Sequence, residues 1–166
     1  MLTPNKKVDE CIKSGKKGKR HYGLIKTTPN REKAMAHLKK AILNFNALTY
    51  FAKGGYSFWS PSAAFYCVYH CCLAILAKYG YESRSQKCTF YVIELLIGQG
   101  KLKTIVKEDL EEIYDPSESL ETSENLLDIR EDMQYGTGTI YETEEFKKLL
   151  DRTKKLPDNF RLEIER

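Results

Sequence analysis

Residues 62–76 read SAAFYCVYHCCLAIL. Three cysteines, one histidine and three aromatics share one short apolar run. The fold turns on whether that run is a metal site, a ligand pocket or the inside of a protein. Phe65, Val68, Tyr69, Cys72, Leu73, Ile75 and Leu76 point in every direction around a helix. A helix that is apolar all round belongs in the middle of something. It is either the central element of a bundle, or its second face is covered by another subunit.

Metal chemistry is the first alternative to weigh. Cys67, His70 and Cys71 are spaced i, i+3, i+4 and so share one helix face, and thiolate with imidazole suits zinc. A structural zinc site wants four ligands, usually as two pairs. Cys88 and the other histidines, His21 and His37, show no paired spacing, so no metal or other cofactor is assigned. A cysteine nucleophile needs a partly exposed thiol of low pKa, and an apolar run raises the pKa instead. The five cysteines are odd in number and three crowd into one helix, which reads as reduced thiols rather than a disulfide framework.

Outward from this run the chain reads as helices. Met35, Leu38, Ile42, Phe45, Leu48 and Ala52 recur every three or four residues and mark a first long helix, stopped by Gly54-Gly55. Ser60-Pro61 opens the central helix, since serine caps and proline fits the first turn; Gly80 ends it. Ser83 to Gln86 resembles a capping box for a third helix ending near Gly98–Gly100, and Val106 to Tyr114 suits a short fourth. Asp115-Pro116-Ser117-Glu118 predicts the start of a helix running through Leu126, Ile129 and Met133 to Gly136. Thr139 with Glu142 predicts a last start, and Phe146, Leu149, Leu150 and Leu156 line that helix. No segment of real length alternates with period two. The expected fold is all-α, an antiparallel up-and-down bundle of about five to six helices.

The 166 residues suit one domain, with 42 % apolar and 30 % charged residues as in soluble globular proteins. No stretch is read as the roughly 18 uncharged apolar residues of a membrane span, and the first residues lack the apolar core of a signal peptide. The expected location is the cytoplasm. Residues 1–30 form a basic, partly irregular leader with one short helix around Val8 to Lys13; residues 31–166 form the bundle. The leader is net +6 in a chain of net +4, so the remainder is slightly acidic and any attraction to phosphates belongs to the leader.

Phosphate loops are weak here. GKKGK at 15–19 lacks the P-loop pattern and follows no strand, and Gly136 to Thr139 is most simply a helix–helix connection. The more informative polar stretch is DIREDMQYG at 128–136. Arg130 borders the Leu126/Ile129/Met133 stripe, where an arginine pairs with Glu131 or Asp132, or reaches a phosphate bidentately.

Two of these segments together resemble the HEPN domain family (higher eukaryotes and prokaryotes nucleotide-binding), of the small stand-alone prokaryotic type. SAAFYCVYHCCLAIL is similar to its aYYA-x-FHA-x-x-AlL helix through Ala64, Phe65, Tyr66, Cys67, Tyr69, His70, Ala74 and Leu76. IREDMQYG is similar to its later Arg…Tyr-Gly helix end through Arg130, Tyr135 and Gly136, and SRSQKCTFYVIELLIGQGKL lies between as its third helix. The likeness covers roughly residues 31–150.

The resemblance implies an antiparallel bundle that dimerises through the helices carrying these motifs. Many members are toxins or defence proteins encoded beside a minimal nucleotidyltransferase, and the active ones are metal-independent ribonucleases with an R-x(4-6)-H motif. There the histidine moves the proton and the arginine stabilises charge on the phosphorus. This chain departs at that point: no histidine follows Arg130, Tyr135 stands in its place, and Lys87 lies near a family histidine at the third helix start.

Three functions are open, the first two following from the resemblance. The first is a dimeric binding module for nucleotide or RNA, or for a nucleotidyltransferase. Arg130 would hold phosphate, Tyr66 and Tyr135 would stack on bases, and His70 and Lys87 would stand nearby. The second is an endoribonuclease using Arg130 with His70 or Tyr135. The third is a helical interaction protein with no nucleotide ligand.

Overall fold

The computed structural model describes residues 3–15, 23–114 and 125–166. The described residues are 73 % helical, which makes the fold all-α. Its helices are α1 (Pro4–Gly15), α2 (Arg31–Lys53), α3 (Ser60–Lys78), α4 (Gln86–Gly98), α5 (Lys107–Glu111), α6 (Leu126–Tyr135) and α7 (Thr143–Glu165). Two three-residue strands, β1 (Leu24–Lys26) and β2 (Tyr81–Ser83), pair antiparallel, with Leu24 opposite Ser83.

The quoted run lies in α3, and α3 is the centre of the bundle. Phe65, Val68, Cys71, Cys72 and Ile75 are fully buried, and of the residues 60–77 only Tyr66 is exposed. α2, α4, α6 and α7 supply that cover from within the one chain. A second subunit is therefore not needed to explain why this helix is apolar all round. By length and hydropathy the stretch Ser57–Lys78 does reach the composition of a membrane span, contrary to the reading above. Yet 78 % of its most apolar window is buried inside the fold, as in a core helix.

Local chemistry sets the ends of these helices. Asn30 caps α2, its side chain accepting the Lys33 N–H at 2.8 Å. Gly55, at φ 81°, turns the chain after α2. Pro61 sits in the first turn of α3, and the buried Ser60 hydroxyl donates to the Leu48 carbonyl at 3.0 Å, which ties the start of α3 to α2. Ser85, not Ser83, caps α4, because Ser83 is the last residue of β2. α6 begins at its Asn125 cap, while the predicted start at 115–118 lies outside the described residues. α7 starts at Thr143 with Glu142 at the cap position and no side-chain cap bond, so Thr139 does not open it.

The described parts of the basic leader, α1 and β1, are built into the fold, while its residues 16–22 lie outside the described residues. Val8, Cys11 and Leu24 are all part of the core, and α1 packs on α4 and β1. The β1–β2 ribbon escaped a period-two reading because three residues are too few to show one. Gly80, at φ 76°, lets the chain turn from α3 into β2; a Cβ there would stand 2.7 Å from the Thr27 carbonyl oxygen.

Cys11 and Cys88 form a disulfide between α1 and α4, with Cα atoms 5.9 Å apart. This corrects the expectation that all five thiols are reduced, and the cytoplasmic expectation loses its support from cysteine usage. The pairing links residues 77 apart, and only the packing of α1 on α4 brings them together.

Candidate functional site

α6 carries Arg130 onto α3. The Leu126 and Leu127 N–H groups donate to the Glu112 and Ile113 carbonyls at 3.0 and 3.1 Å, so the start of α6 is seated on the end of α5. Leu126 and Arg130, one turn apart, are the two buried residues of α6. The guanidinium carbon of Arg130 lies 4.8 Å from the ring centroid of Phe65, a cation–π contact at a fully buried ring.

Phe65 passes this contact on to further rings. It stacks on Tyr69 at 5.6 Å and meets Tyr66 edge-on at 5.4 Å. The Tyr69 hydroxyl is 3.2 Å from Thr89 Oγ1 on α4. Arg130 is thus held by a ladder of aromatic side chains that crosses α3, and its side chain is 6 % exposed.

Its hydrogen bonding is incomplete. One terminal nitrogen donates to Glu131 Oε1 at 2.7 Å, while the buried Nε–H has no hydrogen-bond partner among the described residues. Neighbouring residues on a helix do not face each other, so the flexible, half-exposed Glu131 side chain curls back to make this bond. A buried donor left unpaired costs about 1–3 kcal/mol. The arrangement can accept an oxyanion between Nε–H and a neighbouring N–H, which is the fork an arginine offers to phosphate.

His70 faces elsewhere. Its Nδ1 lies 3.1 Å from Nδ1 of His37 on α2, and the two rings stack with centroids 5.3 Å apart. One ring donates the proton and the other accepts it, so at least one is neutral. Burial, with Lys40 and His37 nearby, pushes the His70 pKa down to about 4. Burial and then Lys33 and Lys40 also lower that of His37. Along α3, His70 is five residues past Phe65, about 140° round and about 7.5 Å along the axis. Among the described residues the partners of Arg130 are Phe65 and Glu131 and those of His70 are His37 and Tyr69, so the two share none of these.

The other expected residues are dispersed. Tyr135 is 75 % exposed at the end of α6, about 140° round the helix from buried Arg130. Tyr66 is the exposed edge of the Phe65 cluster. Lys87 lies on α4 near Tyr91, its ammonium 5.9 Å from that ring, in a groove against α1. Sequence reasoning missed His37 as a partner for His70. It borders the buried stripe of Ala34, Leu38 and Ala41, and that position is the one signal that could have found it.

The cysteines of α3 behave as small apolar side chains. Burial pushes the Cys67 thiol up to about 12 and raises Cys71 and Cys72 as well. Among the described residues no group of three histidine, cysteine or acidic side chains could hold a metal ion. Comparison of the chain with family models, with curated proteins and with solved structures finds no match in any of the three.

Proposed function

We propose that this chain is a HEPN-like binding module that takes the phosphate of a nucleotide or RNA at Arg130 and does not cleave it. One observation carries the reading: among the described residues the buried Nε–H of Arg130 lacks an acceptor, while the guanidinium lies 4.8 Å over the Phe65 ring. Arg130 comes from one segment of the HEPN resemblance and Phe65 from the other, and they meet. A phosphate would replace Glu131, and the exposed Tyr66 edge would lie beside it as a surface for a base.

The ribonuclease reading is less well supported. General acid/base work needs a proton carrier at the phosphate. His70 is engaged with His37, and Tyr135 is on another side of α6. The dimeric state, a minimal nucleotidyltransferase partner and a toxin–antitoxin or defence setting belong to the same proposal through the resemblance.

The test is a binding titration at low salt with labelled single-stranded RNA and with ATP, comparing the wild-type chain with Arg130→Ala. The expected result is binding that is lost in the variant. Equal binding by both proteins removes Arg130 from the proposal. Cleavage of RNA in EDTA that disappears in Arg130→Ala would establish the ribonuclease instead. Absence of any binding would leave a helical interaction protein.

A further inference from the structure

We infer that the Cys11–Cys88 disulfide is a thiol-exchange site, opened at Cys11 by a small anionic thiol of the glutathione class. The inference is independent of the Arg130 site. It rests on a groove of about 460 Å³ between α1 and α4, lined by Lys7, Glu10, Cys11, Ser14, Lys87 and Tyr91. That volume falls in the range that holds small ligands, about 300–1,000 Å³.

The two sulfurs are not equivalent. Cys11 lines the groove and Cys88 does not, although both residues are more than nine-tenths buried, at 7 and 8 % exposure, so a thiol reaches the bond from the Cys11 side. It sits toward the C-terminal end of α1, the end that disfavours a negative charge. Cys88 is the third residue of α4, and its N–H is received by the Ser85 cap at 3.3 Å. A thiolate there gains from the helix N-terminus, so Cys88 is the better leaving group.

The groove also suits the reagent. The Lys7 and Lys87 ammonium groups lie 4.8 and 5.9 Å from the centroid of the Tyr91 ring, and Glu10 lies on the α1 wall. The Lys7 ammonium is paired with Glu94 at 3.2 Å, so a carboxylate of such a thiol would compete with that glutamate for it, and Glu10 would attract the thiol's ammonium group.

In the first step the thiolate of the small thiol attacks Cys11 Sγ. A sulfur–sulfur bond forms between them, the Cys11–Cys88 bond breaks, and its electron pair leaves on Cys88 Sγ. A second thiol molecule then attacks the small thiol's sulfur and releases Cys11 as a thiolate. Two thiols are oxidised to one disulfide, the protein disulfide is reduced to two cysteines, and the protons of the two thiols end on Cys11 and Cys88. Opening the bond leaves α1 held by Val8 in the core and by the Lys7–Glu94 ion pair.

The wild-type protein is incubated with reduced glutathione, quenched with an alkylating reagent and mapped by mass spectrometry. The expected species carries glutathione on Cys11 and the alkyl group on Cys88. Lys7→Gln and Lys87→Gln should each slow opening by glutathione about two- to fivefold, the size of a partly exposed charge contact. Opening by 2-mercaptoethanol, which has no carboxylate, should be unchanged. A disulfide that stays closed in millimolar glutathione overturns the inference, as does an adduct on Cys88. Equal slowing with both thiols also overturns it, because no anionic thiol would then be recognised.

Discussion

Arg130 on α6 lies over the ring of Phe65 on α3, its guanidinium carbon 4.8 Å from the ring centroid, and among the described residues its hydrogen bond goes to Glu131, the next residue along. The cation–π contact holds the guanidinium against the ring, and the glutamate occupies part of its hydrogen-bonding fork. Arg130→Lys keeps the charge and loses the planar fork, so it should lower affinity for phosphate ligands at least about tenfold. Glu131→Gln should act oppositely. Removing the competing carboxylate should raise affinity by about three- to tenfold in the same titration, given the size of one charged hydrogen bond. Weaker binding by Glu131→Gln would mean that Glu131 supports the ligand instead of competing with it.

The His37–His70 pair predicts how the fold responds to acid. Both pKa values are lowered, that of His70 to about 4, so between roughly pH 6.5 and 4 the unfolded chain binds more protons than the folded one. Stability is therefore highest above pH 6.5 and falls as pH drops through this window. The loss should reach about 1–3 kcal/mol by pH 4. Urea unfolding at a series of pH values measures it. His70→Gln should flatten the slope between pH 6.5 and 4, and an unchanged slope would assign the acid sensitivity to other groups.

How much of this was legible beforehand depends on how local the signal is. That α3 is buried on every side followed from its apolar residues, but whether its own chain or a second subunit supplies the cover did not, and the packing of α2, α4, α6 and α7 on it answers that. Ser60-Pro61 and Gly54-Gly55 were readable because capping and chain reversal act within one turn. The Cys11–Cys88 pair was not, since a separation of 77 residues leaves no local trace. The β1–β2 ribbon was too short to alternate. Arg130 and Tyr135 are neighbours in sequence, yet the helix turns one inward and leaves the other 75 % exposed. Only packing shows that Arg130 meets Phe65 and that His70 meets His37.

Glu163 predicts a second stability determinant, at the end of α7. This buried carboxylate accepts the Lys103 and Thr104 N–H groups at 2.6 and 2.9 Å and the Thr104 hydroxyl at 3.1 Å. Burial alone would raise its pKa; the backbone donors of Thr104 and Lys103, then the Thr104 hydroxyl and Lys78, hold it below the ordinary value. The carboxylate therefore stabilises the fold above its unfolded pKa, and that contribution is lost as pH falls through the lowered value. Glu163→Ala strands two backbone donors and should cost about 2–4 kcal/mol in chemical denaturation. A cost below about 0.5 kcal/mol, the size of an ordinary surface change, would mean the donors find other partners.

Gly80 gives the last prediction, at the turn that joins the leader to the bundle. Its backbone is left-handed at φ 76°, and its carbonyl accepts the Thr27 N–H at 2.8 Å. Gly80→Ala meets two separate costs. The left-handed conformation disfavours any residue with a Cβ by about 1 kcal/mol. The added Cβ would also stand 2.7 Å from the Thr27 carbonyl oxygen, a backbone atom that cannot swing aside. Relief requires β1 to move away from β2, so the damage should concentrate in the ribbon. The expected loss is about 2–4 kcal/mol in global stability, with faster hydrogen exchange at the paired amides of β1 and β2 than at those of α3. Gly55→Ala is the control. It shares the positive φ but has no atom within 4 Å of the added Cβ, so it should cost only the conformational part. Equal losses in the two variants would show that the close approach of Thr27 does not matter.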